Sequence, residues 1–268
     1  MEDIRLKEKK LFLFDIDGTI AIDETVLDGT LDLLRFIGLR GGKAVYITNN
    51  STKSRADYVA KFKRMGIPAE ESDFITASYA ACRYLKQHHG TDTIYVAGTA
   101  SLLRELEREG LHVTADGTRD AEVVLVGYDS ELTYSKTVDV CRYLMTKPSI
   151  AYLATNPDLC CPTGFGSVPD CGAICRMIQC AVGRMPLFLG KPNPAIVEYC
   201  LEETGYAKEE TLVVGDRWYT DIAVGIAAGV DTAVVFTGEA QEQELRSTQY
   251  PPTWAFPTIR GLADRLMA

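Results

Sequence analysis

Short apolar runs that end in polar residues alternate with stretches of helical periodicity from one end of the 268-residue chain to the other. That alternation predicts an α/β fold with a parallel sheet. Leu11–Asp15 is an apolar run closed by an acid. Leu31–Leu39 reads as a helix stopped by Gly41 and Gly42, and Ala44–Thr48 as a second strand. Arg55–Met65 is amphipathic and ends at Gly66 and Pro68. Phe74–Thr76 is a brief strand, followed by a helix to about Leu85. Toward the other end, Pro194–Glu203 and Ile222–Ala228 read as helices, and Thr211–Gly215 and Thr232–Phe236 as strands, the latter the last clear one. Between these lies a second set. Thr93–Ala97, Val123–Val126 and Ile150–Ala154 read as strands, and Ser101–Glu109, Tyr134–Thr146 and Ala173–Val182 as helices. The sequence shows neither a solenoid repeat nor a low-complexity segment.

Four strand ends carry chemistry. Asp15-Ile16-Asp17-Gly18-Thr19 follows the first apolar run. Residues two apart in extended chain point the same way, so two carboxylates face one spot at the carboxyl end of a strand, where open α/β sheets place their ligands. Gly18 lets the backbone turn there. Turn chemistry alone would explain Asp17-Gly18, but not two acids abutting a buried strand. Thr48-Asn49-Asn50-Ser51 follows the second strand and offers a hydroxyl, amides and backbone N–H groups at a helix start, which suits an anion, although capping residues have the same composition. Gly190-Lys191-Pro192 follows Leu187–Leu189. Met185 and Pro192 exclude a P-loop there. Gly215-Asp216-Arg217 closes the Thr211 strand with Asp221 five residues on, and two acids so placed suit a hard cation such as Mg²⁺.

Spacing adds an organisation. Asp17 to Thr48 is 31 residues, the size of one bare βαβ unit, so no lid fits between them. Thr48 to Lys191 is 143 residues, and the elements read up to Leu85 leave roughly a hundred, enough for a second domain. The sequence therefore predicts a discontinuous core of residues 1–85 and 184–268 and an insert of residues 86–183, with hinges near Lys86–Gly90 and Gly183–Pro186.

Composition narrows the function. The formal net charge is −9 with a pI near 5.0, which repels phosphate backbones and argues against polymeric nucleic acid. A small anion remains compatible, because a cleft can oppose the global sign. The longest stretch without Asp, Glu, Lys or Arg, Ser247–Ile259, is 13 residues and holds Pro251, Pro252 and Pro257, too short and too broken to span a membrane. Leu11–Phe14 is too short for a signal peptide, so a cytoplasmic protein is expected. The eight cysteines contain no CxxC pair. Cys160, Cys161, Cys171, Cys175 and Cys180 cluster, with Cys171 and Cys175 on one helix face. They are expected to pack as small hydrophobes rather than hold a metal.

Asp, Thr, Lys and an Asp pair, in that order and each at a strand end, resemble the four motifs of the haloacid dehalogenase-like hydrolase superfamily. Thr155-Asn156-Pro157-Asp158 and Val168-Pro169-Asp170-Cys171-Gly172-Ala173 are similar to its NagD-like, para-nitrophenyl-phosphatase branch. Trp218-Tyr219 departs from it, since relatives usually carry Leu and a polar residue there. The resemblance implies a Rossmann-like core with a parallel sheet and an inserted α/β cap domain between the second and third motifs, closing over small phosphate esters. It implies a Mg²⁺-dependent phosphatase with Asp15 as nucleophile and Asp17 as general acid and base. Asp15, the Asp17 carbonyl and Asp216 would hold Mg²⁺, with Asp221 acting through water or behind them. Gly18, Thr48, Asn49, Asn50 and Lys191 would hold the phosphoryl group, and Asn156 and Asp158 would read the leaving group unless that loop is a plain Pro-Asp turn. Relatives often pair as homodimers through their caps, though no residue here specifies it. A dehalogenase would not need Asp17. A phosphotransferase or mutase on the same core, or a non-catalytic phosphate-binding or receiver-like protein, are the alternatives; a receiver needs neither Asp17 nor a cap.

Overall fold

The computed structural model describes residues 2–163 and 165–268. The chain folds as two compact units. One comprises the chain up to Thr48, Ala56–Ile75 and Lys191–Ala268, and the other Asn49–Arg55 and Thr76–Gly190.

Among the described residues, the sheet of the first unit runs Trp254–Phe256, Asp231–Val235, Thr211–Gly215, Leu11–Phe14, Lys43–Thr48, Phe74–Thr76. Pairing is parallel from Trp254–Phe256 through to Lys43–Thr48. Leu11–Phe14 is buried at every position, which is why it reads as an unbroken apolar run rather than an alternating one. From this strand the chain first builds toward one edge, and after the second unit it returns on the other side. The carboxyl end of Leu11–Phe14 is therefore a topological switch point, where an open sheet leaves a crevice for ligands. Phe12, Phe14, Leu33, Tyr46, Phe62, Phe74, Leu212 and Leu262 lie in the core of this unit.

The second unit has its own sheet, in the order Leu187–Phe188, Ala151–Ala154, Val123–Val126, Thr93–Ala97, His112–Thr114, all parallel. The α/β alternation expected from the sequence holds in both units. The unit changes over earlier and later than the 86–183 insert expected from spacing. The helix after Phe74–Thr76 runs on to His89, and its Ala81, Cys82 and Leu85 pack with Ile94, Val96 and Leu102, so it belongs to the second core. Asp231–Val235 is not the last strand. Trp254–Phe256 pairs beside it, hidden in the sequence by flanking Pro251, Pro252 and Pro257, which an edge strand tolerates outside its paired residues.

The helix Cys171–Val182 begins at Asp170, whose carboxylate accepts the Cys171 N–H. Cys171 and Cys175 are buried on one face, and the Cys171 thiol donates to the Val126 carbonyl at 3.5 Å, while Cys160 and Cys180 are exposed. Gly172 lies so close to the Pro157–Asp158 backbone that a Cβ there would meet the Pro157 carbonyl oxygen at 2.1 Å. Gly38, in the exposed part of helix Thr30–Leu39, has nothing within 4 Å of a built Cβ. Gly38→Ala is therefore expected to stabilise the protein by about 0.5–1 kcal/mol, the ordinary helix-propensity gain. Gly172→Ala is expected to destabilise it despite the same gain, and urea unfolding of the two variants checks the opposite signs.

Candidate active site

Asp15 follows the buried Leu11–Phe14 strand directly. Its N–H donates to the Val214 carbonyl at 2.9 Å, so the backbone is still in the ladder when the carboxylate emerges. The chain then turns. Gly18 has φ 96° and donates its N–H to Ala21 O at 2.8 Å. A Cβ at Gly18 would meet Asp216 Oδ2 at 2.7 Å, so this glycine is required by both conformation and space. Asp216 caps the neighbouring Thr211–Gly215 strand and Asp221 sits in the single π-turn Trp218–Ile222 just beyond it. Such turns often mark functional positions. Carboxylate oxygens of Asp15, Asp216 and Asp221 lie within 4.8 Å of one another.

Lys191 lies among them. Its Nζ donates to Asp15 Oδ1 at 2.6 Å, to Asp221 Oδ1 at 2.7 Å and to the Ile47 carbonyl at 3.1 Å, and its side chain is 2% exposed. The acids are held from behind as well. Asp221 Oδ2 accepts the Arg217 N–H at 3.1 Å, Asp216 Oδ2 accepts the Glu239 N–H at 2.8 Å, and the Thr19 hydroxyl donates to Asp216 Oδ1 at 3.3 Å. Thr48, the last residue of its strand, is buried.

The electrostatics follow from burial. Desolvation pushes the Asp15 carboxyl well above the usual carboxylate range; Lys191 opposes this, and Asp221 and Asp216 add to it. Asp216 is pushed up to about 6, first by burial and then by Asp221. Burial by itself would lower Lys191, but Asp15 and Asp221 raise it, so its ammonium stays charged. With all three carboxylates ionised, one ammonium leaves two negative charges, which one dication would balance and so favour that ionised state. Hard oxygen donors at this spacing fit Mg²⁺ or another hard divalent ion.

Asp17 lies apart from this trio. Its Oδ1 accepts a hydrogen bond from Lys61 Nζ at 3.0 Å. Lys61 falls outside every motif in the sequence. The available signal is its place at i+3 from Tyr58 and beside Phe62, all three buried on one face of helix Arg55–Arg64. In the second unit, Asn156 is fully buried and donates to the Asn49 carbonyl at 2.6 Å, and the Asn49 amide donates to Asp158 Oδ2 at 3.1 Å. Asn50 Oδ1 accepts from the Thr52 N–H at 2.9 Å. Asn156 and Asp158, taken from the sequence as leaving-group readers, thus grip the Asn49 loop. Trp218 donates its indole N–H to Glu244, and the Tyr219 hydroxyl donates to Glu239.

Residues 12–112 match the family described as haloacid dehalogenase-like hydrolase, and residues 188–262 match one described as HAD-hydrolase-like. The chain is 32% identical over 254 residues to an acid sugar phosphatase of Staphylococcus aureus, covering 95% of this chain and 96% of that one. Among solved structures it is similar to 4-nitrophenylphosphatase from Thermotoga maritima, with TM-score 0.92, 34% identity and coverage of 98% and 99%. It is also similar to NagD from Escherichia coli K-12, with TM-score 0.85, 29% identity and coverage of 94% and 97%. With the motif acids and lysine gathered at the switch point of a parallel sheet, these likenesses settle the family: the chain belongs to the haloacid dehalogenase-like hydrolases, in their NagD-like branch, and is a phosphatase.

Proposed function

We propose that this phosphatase hydrolyses small phosphate monoesters in a Mg²⁺-dependent reaction that passes through an aspartyl phosphate on Asp15. The observation that carries this reading is Lys191 fixed at 2.6 Å from Asp15 inside a carboxylate trio with two surplus negative charges. Asp15, Asp216 and the Asp17 carbonyl would hold Mg²⁺, which supplies charge to offset the repulsion between a carboxylate and a phosphate dianion. Asp221, bonded to Lys191 and to the Arg217 N–H, orients the lysine behind them. Lys191 and Thr48, with the open turn at Gly18, stabilise the phosphoryl oxygens as charge shifts onto them. Asp15 attacks phosphorus and the alkoxide departs with a proton from Asp17. Asp17 then takes a proton from the water that splits the acyl phosphate, so one difficult step becomes two easier ones. Asn156 and Asp158 contribute by gripping the loop that carries Asn49 and Asn50.

For substrate, a sugar phosphate or a nucleoside monophosphate is the class we propose, the first supported by the acid sugar phosphatase among the relatives. Hydrolysis of a panel of phosphorylated metabolites tests it. A preference for phosphoproteins or transfer to a second sugar instead of water would refute it.

Asp15→Asn is expected to fold normally and lose turnover by more than about 10³-fold, the scale of removing a nucleophile; steady-state assays against circular dichroism check this. Chelator should abolish activity, Mg²⁺ should restore it and zinc should not. A pH prediction follows from Asp216. Its folded pKa of about 6 is raised above the unfolded value of about 3.9. Its contribution to stability is therefore complete below about pH 4 and is lost as pH rises through about 6. In chelator above neutral pH, Asp216→Asn, neutral throughout, should be more stable than the parent by roughly 1–3 kcal/mol. The advantage should vanish below about pH 4, and urea midpoints at the two pH values check the sign.

A further inference from the structure

Two lysines divide the motif acids Asp15, Asp17 and Asp221 between them. Lys191 is committed to Asp15 and Asp221. Lys61 is committed to Asp17, with its side chain 7% exposed and that of Asp17 40% exposed. Lys61 is placed by the core and not by the turn it serves. Its helix is pinned through Phe62, whose ring lies 4.5 Å from Tyr46 and 4.9 Å from Phe74, and through Tyr58, 5.6 Å from Phe74. The backbone of Asp17 is fixed too, by its bridge to Ala21 and the Gly18–Ala21 hydrogen bond. Its carboxylate still has two side-chain torsions and solvent on one side. A lysine taken out of water at a core position costs stability unless its ammonium is paired, and an apolar residue of similar length would pack there at no such cost. The observed pairing is with Asp17, the motif acid that lies outside the trio.

We infer that Lys61 is a positioning residue for Asp17. Its core-anchored ammonium donates to Oδ1 of Asp17 and so orients the carboxyl group, whose other oxygen, Oδ2, carries the proton that passes to the departing oxygen. The inference rests on the reading of Asp17 as proton donor. A loosely held acid loses rate because the transfer geometry is sampled less often, even when the substrate is bound as before. Its loss should be felt most where the leaving group most needs a proton.

The test is a double-mutant cycle on the full-length protein with Mg²⁺, using an alkyl phosphate and 4-nitrophenyl phosphate. Lys61→Met should lower kcat on the alkyl phosphate by roughly tenfold or more, within the range of a positioned acid–base group. The loss should be smaller on the aryl phosphate, with KM little changed on both. Lys61→Arg, which retains a donor, should recover most of the rate. In an Asp17→Asn background Lys61→Met should add little, because the group it positions is gone. Urea midpoints show whether each variant is folded; if Lys61→Met is not, Lys61→Gln takes its place in the cycle. Equal loss on both substrates, no recovery with arginine, or an undiminished effect in the Asp17→Asn background would each overturn the assignment. If Asp17→Asn itself loses equal rate on both substrates, it is the proton-donor reading that fails, and the inference about Lys61 falls with it.

Discussion

The site depends on one ammonium among three buried carboxylates. Lys191 reaches Asp15 and Asp221 at 2.6 and 2.7 Å from a position almost closed to water. Without it, three like charges would face one another in a low-dielectric pocket, and burial has already raised Asp15 and Asp216 well above ordinary carboxylates. With it, the cluster suits a dication, and Asp15 is placed for the nucleophilic role proposed for it. The same lysine donates to the Ile47 carbonyl, one residue before Thr48, so the carboxyl end of strand Lys43–Thr48 is tied to the same point.

The fold exists around this point in a literal sense. Asp15, Thr48 and Asp216 each terminate or follow a parallel strand of one sheet, and those strands are neighbours because the chain reverses its direction of winding at Leu11–Phe14. Four wholly buried residues before Asp15 fix where its backbone emerges. Close approach then needs space: a side chain at Gly18 would strike Asp216, and one at Gly238 would meet its Oδ2 at 1.9 Å. The acids are thus placed by strand order and left room by glycines, and their hydrogen bonds to Thr19, Arg217 and Glu239 set orientation.

Most of this was legible because the chemistry sits at ends of strongly apolar runs. Thr93–Ala97, Val123–Val126, Thr211–Gly215 and Tyr134–Thr146 run between the residues that the sequence pattern marks. What the sequence hid was tertiary. Nothing local tells that helix Ala77–His89 packs under Ile94 and Leu102 instead of with the first sheet. Trp254–Phe256 is three residues among prolines and becomes a strand only because Asp231–Val235 offers it an edge. Asn156 and Asp158 look like ligand-facing polar residues in a turn, yet 0% and 3% exposure and their bonds to Asn49 make them grips for another loop. Lys61 was masked by an amphipathic pattern that assigns lysines to the solvent side; its position between Tyr58 and Phe62 was the clue.

In the mechanism proposed, Asp15 and no other acid of the cluster bonds covalently to phosphorus during turnover. Borohydride added to the enzyme during turnover of a sugar phosphate reduces an aspartyl phosphate to homoserine, and peptide mass spectrometry locates it. Homoserine at residue 15, absent without substrate and absent in chelator, is the result expected here. Homoserine at Asp17, Asp216 or Asp221, or none at any acid of an enzyme still turning over, would contradict it.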